Sequence, residues 1–195
     1  MLFIVLILAG VSVRAEPLFV DATEQAGLVR ETVNGGPHKR FILESTGSGA
    51  AFFDYDDDGD LDLYMVDGST YASYGAGPGN VLYRNEGQGV FAEVVAGVED
   101  RGWGVGVAVG DVDGDGDLDA IVGAHEYGKY GSRLTGIVWN NGKGDFPKHN
   151  TTSLPQHKNK WGTIPEVSAS DLDNDGDLDI VYSRAGVLYV GTAIQ

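Results

Sequence analysis

The 195-residue chain contains no cysteine. A disulfide framework, a thiolate zinc site and a cysteine nucleophile are therefore excluded. Basic residues are scarce: 13 Lys and Arg stand against 29 Asp and Glu, leaving a formal charge of −16. Such a chain lacks the basic footprint that phosphate binding needs, so neither nucleic acid nor an anionic lipid surface is expected as a partner. Catalytic signatures are missing too. The chain carries no G-x-S-x-G, no H-E-x-x-H and no P-loop, and it is not expected to be an enzyme. Apolar runs are short. The longest, Leu2–Val13, has twelve residues, where a membrane span takes about 20.

What is abundant is glycine, with 30 residues, beside 42% apolar and 10% aromatic content. That is enough apolar material for a core, which argues against disorder. Frequent glycine disfavours long helices and suits many short strands joined by turns.

The acidic charge is concentrated. Three nine-residue windows, Asp54–Asp62, Asp111–Asp119 and Asp171–Asp179, hold six, five and five acids. The remaining 13 acids balance the 13 basic residues, so the whole net charge resides in these windows. Carboxylates packed this densely repel, and a bound cation would offset them.

The N-terminus reads as a targeting segment. The apolar run is followed by Val13-Arg14-Ala15, a small-x-small cleavage pattern before Glu16. Residues 1–15 are expected to be a signal peptide, cleaved after Ala15. The product would be secreted, periplasmic or at the cell surface, with no membrane span left.

The acidic windows recur at intervals of 57 and 60 residues, a spacing typical of repeat architectures. A β-prone run precedes each window: Gly49–Phe53, Gly104–Val109 and Val167–Ser170. Another follows each: Leu61–Val66, Leu118–Val122 and Leu178–Tyr182. A second hairpin comes next. Val81–Asn85, turn Glu86–Gly89 and Val90–Val95 form one, and Ile137–Asn140, turn Asn141–Gly144 and Asp145-Phe146 form another. The third copy stops after Val187–Val190. The expected fold class is all-β, with β-propeller blades of four antiparallel strands in three repeats, the third incomplete: a partial propeller. The repeats span about residues 41–98, 99–150 and 160–195. Residues 18–28 parallel Phe91–Val98 and predict an extra outer strand. Tyr71–Asn80 and Lys148–Lys160 read as long loops.

Written out, the loops are D-Y-D-D-D-G-D-L-D, D-V-D-G-D-G-D-L-D and D-L-D-N-D-G-D-L-D. Position 6 is always glycine (Gly59, Gly116, Gly176), where a sharp turn needs a positive φ. Ca²⁺ takes 6–8 oxygen ligands, and alternate residues of a curled loop point inward. The candidate ligands are Asp54, Asp56, Asp58, Asp60 and Asp62; Asp111, Asp113, Asp115, Asp117 and Asp119; Asp171, Asp173, Asp175, Asp177 and Asp179. Positions 1, 3, 5 and 9 would ligate through side chains and position 7 through its carbonyl. About three Ca²⁺ per chain are expected. An EF-hand is excluded: it needs Glu at position 12 between helices, whereas Met65, Val122 and Tyr182 stand there among β-prone runs. Mg²⁺, which keeps its waters, suits the loops less well. Leu61, Leu118 and Leu178 at position 8 read as core contacts.

The stretch from Trp103-Gly104 through Asp111–Asp119 to Gly123-Ala124-His125 resembles the FG-GAP repeat of integrin α-chain propellers. The combination of GAAFFDYDDDGDLDLY with LYRN, EGQG and VF is similar to bacterial FG-GAP/VCBS-repeat proteins, and to the region they share with cartilage acidic protein. The resemblance covers about Leu18 to Val190. It implies a secreted β-propeller, usually seven-bladed, with Ca²⁺ in its blade hairpins. Copies one and three depart from the pattern, with Val66-Asp67-Gly68 and Tyr182-Ser183-Arg184 where Gly-Ala-Pro would stand. Three repeats are also fewer than the family closes with. Self-association, or membership of a longer propeller, is therefore expected.

The remaining motifs are weak. His38, His125, His149 and His157 show no ligand spacing and are expected at the surface. Lys143-Gly144-Asp145 reads as a hairpin turn, Asn150-Thr151-Thr152 is a glycosylation acceptor only in a eukaryote, and Trp103, Trp139 and Trp161 read as blade packing. The functional expectation is an exported, calcium-binding, non-enzymatic propeller acting in recognition or adhesion. The alternatives are a lectin-like carbohydrate binder and the non-catalytic part of a larger exported enzyme.

Overall fold

The computed structural model describes residues 19–40, 42–45, 47–125, 136–147, 151–154, 166–184 and 187–191. The signal segment 1–15, His149, Asn150, His157 and Trp161 lie outside them. The described residues hold eleven strands and one 3₁₀ turn, Ile42–Ser45. No helix among them is long and apolar enough to cross a membrane.

Strands β1 (Gly49–Phe53), β2 (Asp62–Val66), β3 (Val81–Asn85) and β4 (Phe91–Val94) form a four-stranded antiparallel meander. A second is formed by β5 (Trp103–Gly110), β6 (Asp119–His125), β7 (Gly136–Val138) and β8 (Thr151–Ser153). The third sheet has three strands: β9 (Val167–Ser170), β10 (Asp179–Arg184) and β11 (Val187–Gly191). The first strands of the three sheets are neighbours, with β5 between β1 and β9. This is the blade arrangement of a propeller, with the acidic loops all on one end.

The sheets are packed face to face by alternating side chains. Phe53, Tyr64, Val66 and Leu82 of the first blade meet Ala120, Val122 and Phe146 of the second. Ile121 and Ile137 of the second meet Ile180 and Tyr182 of the third. Glycine sets the close approach of inner strands. A Cβ on Gly104 would lie 2.0 Å from Val66 Cγ1, and one on Gly110 would lie 2.4 Å from Leu178 Cδ1.

A second device fastens consecutive blades. After β4 the chain crosses to the next blade through Ala96-Gly97-Val98, where Phe146 N–H donates to the Ala96 carbonyl at 2.6 Å. Gly97 has φ +96°, and a Cβ there would sit 1.8 Å from the Phe146 carbonyl oxygen. Ala26-Gly27-Leu28 repeats the arrangement on the first blade: Phe91 N–H donates to the Ala26 carbonyl at 2.8 Å, and Gly27 has φ +75°. One such hydrogen bond contributes about 1 kcal/mol net. Burying the Phe146 ring contributes about 2–3 kcal/mol. The ring, not the bond, therefore carries most of this latch.

Five local expectations are corrected. Residues 19–28 form no strand. Asp21 Oδ1 accepts from Thr23 N–H and Oγ, starting a turn that runs through Thr23–Gly27 and presents Ala26 to Phe91. Asp145-Phe146 is not the fourth strand of its blade, because Phe146 is turned into the core. The strand lies further on at Thr151–Ser153, inside the stretch that reads as a loop. His125 is buried at 2% exposure rather than on the surface. It pairs in register with Trp103, the two rings meet edge to face at 6.1 Å, and burial lowers its pKa to about 4. Leu61 is 57% exposed, whereas Leu118 packs into the seam between the first two blades and Leu178 against Gly110.

Candidate metal centres

Each acidic loop joins the first two strands of its blade. Position 1 organises the turn. Asp54 Oδ1 and Oδ2 accept from Asp58 N–H and Gly59 N–H, Asp111 Oδ2 accepts from Gly116 N–H, and Asp171 Oδ2 accepts from Gly176 N–H. The glycine at position 6 has φ +92°, +98° and +100° in the three loops, as its role in the turn requires. Position 4 is left-handed as well, at Asp57 (φ 60°), Gly114 (φ 74°) and Asn174 (φ 63°). Asp, Gly and Asn are the residues that tolerate this region, so the signal was present in the sequence and passed over.

The loops bring carboxylates together in threes. Oxygens of Asp54, Asp56 and Asp58 lie within 4.8 Å of one another, as do those of Asp111, Asp113 and Asp115, and those of Asp171, Asp173 and Asp179. Asp175 at position 5 of the third loop is outside its trio, and position 7 (Asp60, Asp117, Asp177) belongs to none. Asp117 instead lies against Gly142, where an added Cβ would meet its Oδ2 at 2.3 Å.

Position 9 is buried in every loop, and in the first two its carboxylate closes the hairpin. Asp62 Oδ2 accepts from Tyr55 N–H at 3.1 Å and Oδ1 from Asn85 N–H at 2.8 Å. Asp119 repeats this with Val112 N–H at 3.2 Å and Asn140 N–H at 2.8 Å. Asp179 Oδ2 takes Leu172 N–H at 2.9 Å. The Asn side chains complete the tie: Asn85 Nδ2 donates to the Leu61 carbonyl, and Asn140 Nδ2 to those of Leu118 and Tyr55. The sequence reading missed these two asparagines, although each closes the third β-prone run of its repeat, Val81–Asn85 and Ile137–Asn140.

Electrostatics within the loops is unfavourable to naked charge. Burial, with Asp58 and Asp54 nearby, holds the Asp56 carboxyl above the ordinary range. Partial desolvation and Asp115 do the same to the exposed Asp113, and partial desolvation and Asp175 to the exposed Asp173. Burial pushes Asp119 up to about 6. Two loop oxygens, Asp56 Oδ1 and Asp111 Oδ1, are shielded from solvent and have no hydrogen-bond partner. An oxygen left this way costs stability unless something else meets it. Hard carboxylate oxygens, three at a time, two of them orphaned, fit an oxygen-loving divalent cation.

A family model described as FG-GAP-like repeat matches residues 54–122 and 128–182, so the matches take in all three acidic loops. The chain belongs to the FG-GAP-like repeat family. No curated protein matches it. The FG-GAP-like matches begin at the first acidic loop and end on β10, just beyond the third.

Proposed function

We propose that this FG-GAP-like protein is an exported, calcium-binding, non-enzymatic β-propeller that serves extracellular recognition or adhesion. The observation that carries the reading is the convergence of three carboxylate oxygens within 4.8 Å in each of three loops. Asp54, Asp56 and Asp58 would hold the first ion, Asp111, Asp113 and Asp115 the second, and Asp171, Asp173 and Asp179 the third, with the position 7 carbonyl completing each set. When bound, the ion neutralises carboxylates that otherwise repel, so its role is to clamp the hairpins. Affinity is expected near the extracellular range, roughly 10⁻⁴–10⁻³ M.

Two substitutions test the loop geometry. Asp115→Ala removes a member of the second trio and is expected to lower bound calcium from about three to about two per chain, measured by equilibrium dialysis. Asp117→Ala touches no trio and is expected to leave the count unchanged. Equal losses would mean a diffuse acidic patch rather than a built site.

Export is supported by the apolar run ahead of Val13-Arg14-Ala15. The mature chain is expected to begin at Glu16. A soluble product that retains residues 1–15 in intact-mass spectrometry would contradict it.

A further inference from the structure

We propose that Asn140 is a positioning residue that couples the first two cation sites across the seam between their blades, so that an ion held in either loop tightens the other. The inference rests on the calcium reading and deepens it.

Asn140 follows β7 and is buried, and its side-chain amide is fully engaged. Oδ1 accepts from Asn141 N–H at 2.7 Å and Gly142 N–H at 3.2 Å, which sets the turn. Nδ2 donates to the Leu118 carbonyl at 3.2 Å in its own blade and to the Tyr55 carbonyl at 2.9 Å in the first. Both ends of this tie reach candidate ligands. Tyr55 lies between Asp54 and Asp56 of the first trio. On the other side, Asn140 N–H donates to Asp119 Oδ1 at 2.8 Å, and Asp119 Oδ2 takes Val112 N–H. Val112 lies between Asp111 and Asp113 of the second trio. The turn after Asn140 leans on both loops as well. A Cβ on Gly142 would lie 2.3 Å from Asp117 Oδ2, and one on Gly144 would lie 3.1 Å from Asp56 Cβ.

The element with two states is the acidic loop. Naked carboxylates repel and loosen its curl, and a cation fixes it. A fixed first loop holds the Tyr55 carbonyl where Asn140 meets it, and Asn140 in turn holds the Asp119–Val112 closure of the second. The next ion then enters a loop that is already ordered, which gives positive cooperativity. Coulomb repulsion between two bound ions acts in the opposite sense, so the sign of the coupling separates the two effects. The third repeat supplies an internal comparison. Val190 pairs with Val181 as Ile137 pairs with Ile121, which gives Ala193 the sequence position of Asn140. Alanine has no amide to offer the second loop, so the third ion is expected to bind independently.

The test is a calcium titration of the purified chain followed by amide NMR. Gly59, Gly116 and Gly176 report the three loops separately, because each N–H donates to the position 1 carboxylate of its own loop. In wild type the Gly59 and Gly116 transitions are expected to be steeper than a single-site curve, and Gly176 to follow one. Asp58→Ala breaks the first trio and is expected to raise the calcium Kd read at Gly116 about tenfold, a usual size for such coupling. Asp115→Ala is expected to raise the Kd read at Gly59 by the same factor, since coupling is reciprocal. Neither should move Gly176. Asn140→Ser keeps an acceptor for the turn but cannot donate to both carbonyls. In that background, adding Asp58→Ala is expected to leave the Gly116 Kd unchanged. A merely structural role would shift the Kd values and leave their coupling intact. The Asp58→Ala and Asp115→Ala titrations keep Asn140 in place and decide the coupling on their own. An unchanged or lower Kd in them overturns the coupling while the calcium reading stands. Coupling that survives Asn140→Ser overturns the role of Asn140. Glycine amides that ignore calcium in all three loops overturn both readings.

Discussion

Saturating calcium is expected to raise the melting temperature by roughly 10 °C over the chelated protein. Ligand that binds only the folded state stabilises by RT ln(1 + [L]/Kd), about 1.4 kcal/mol per site at ten times Kd. Three sites then contribute about 4 kcal/mol, and a domain of this size shifts by about 2–4 °C per kcal/mol. The increment should also depend on pH. The Asp119 carboxyl is raised to about 6 in the folded chain from 3.8. A raised carboxyl makes the charged form costly: in chelated protein that cost is present above about pH 6 and relieved as pH falls towards 3.8. Asp119 belongs to no trio, so this relief acts with and without calcium. The trio members Asp56, Asp113 and Asp173 are also held above the ordinary range, and calcium needs their charged forms, so protons compete with it as pH falls. His125, lowered to about 4, acts oppositely, favouring the fold above its ordinary 6.5 and losing that as pH falls. It titrates in both samples and drops out of their difference. The gap between calcium and chelator scans should therefore shrink steadily from pH 7 to pH 5. Superimposed scans at pH 7, or a gap that widens in acid, would defeat the calcium reading.

Phe146→Ala is expected to cost about 3–5 kcal/mol, the range for deleting a fully buried aromatic ring. Its ring has no exposure and meets Phe53 edge to face and Tyr55 stacked, both with centroids 6.4 Å apart. All three belong to the seam between the first two blades, so the cavity would open the main contact between them. Phe91 is the matching residue of the first blade but is only partly buried. Phe91→Ala should cost about half as much or less. Urea unfolding of both variants checks this, and equal losses would show that the seam does not depend on Phe146.

Strand–loop–strand order was legible in the sequence because the three acidic loops are rigid punctuation: Gly49–Phe53, Val81–Asn85 and Val167–Ser170 are strands as read. The trios were legible for the same reason, since alternate loop positions must converge once position 6 turns. What failed was whatever depended on partners distant in sequence. Phe146 reads as β-prone, but its hydrogen bond to Ala96 and its packing on Tyr55 take it out of the sheet. His125 reads as a surface residue until Trp103 is placed beside it. Position 9 reads as a plain ligand, whereas Asp62 and Asp119 each spend both oxygens on backbone N–H groups from two separate turns.

The latches run in one direction, and this bears on how the protein is made. Ala96-Gly97-Val98 belongs to the first blade but closes on Phe146 of the second. A ribosome or a translocon delivers residue 96 well before residue 146. The face bearing Tyr64 and Leu82 must therefore wait, unsealed, for the next repeat to emerge. The second blade thus finishes the first, while its own far face waits in turn for the third. Domains made N-terminal first leave such a surface open until its partner emerges, and here that surface is the one bearing Tyr64 and Leu82.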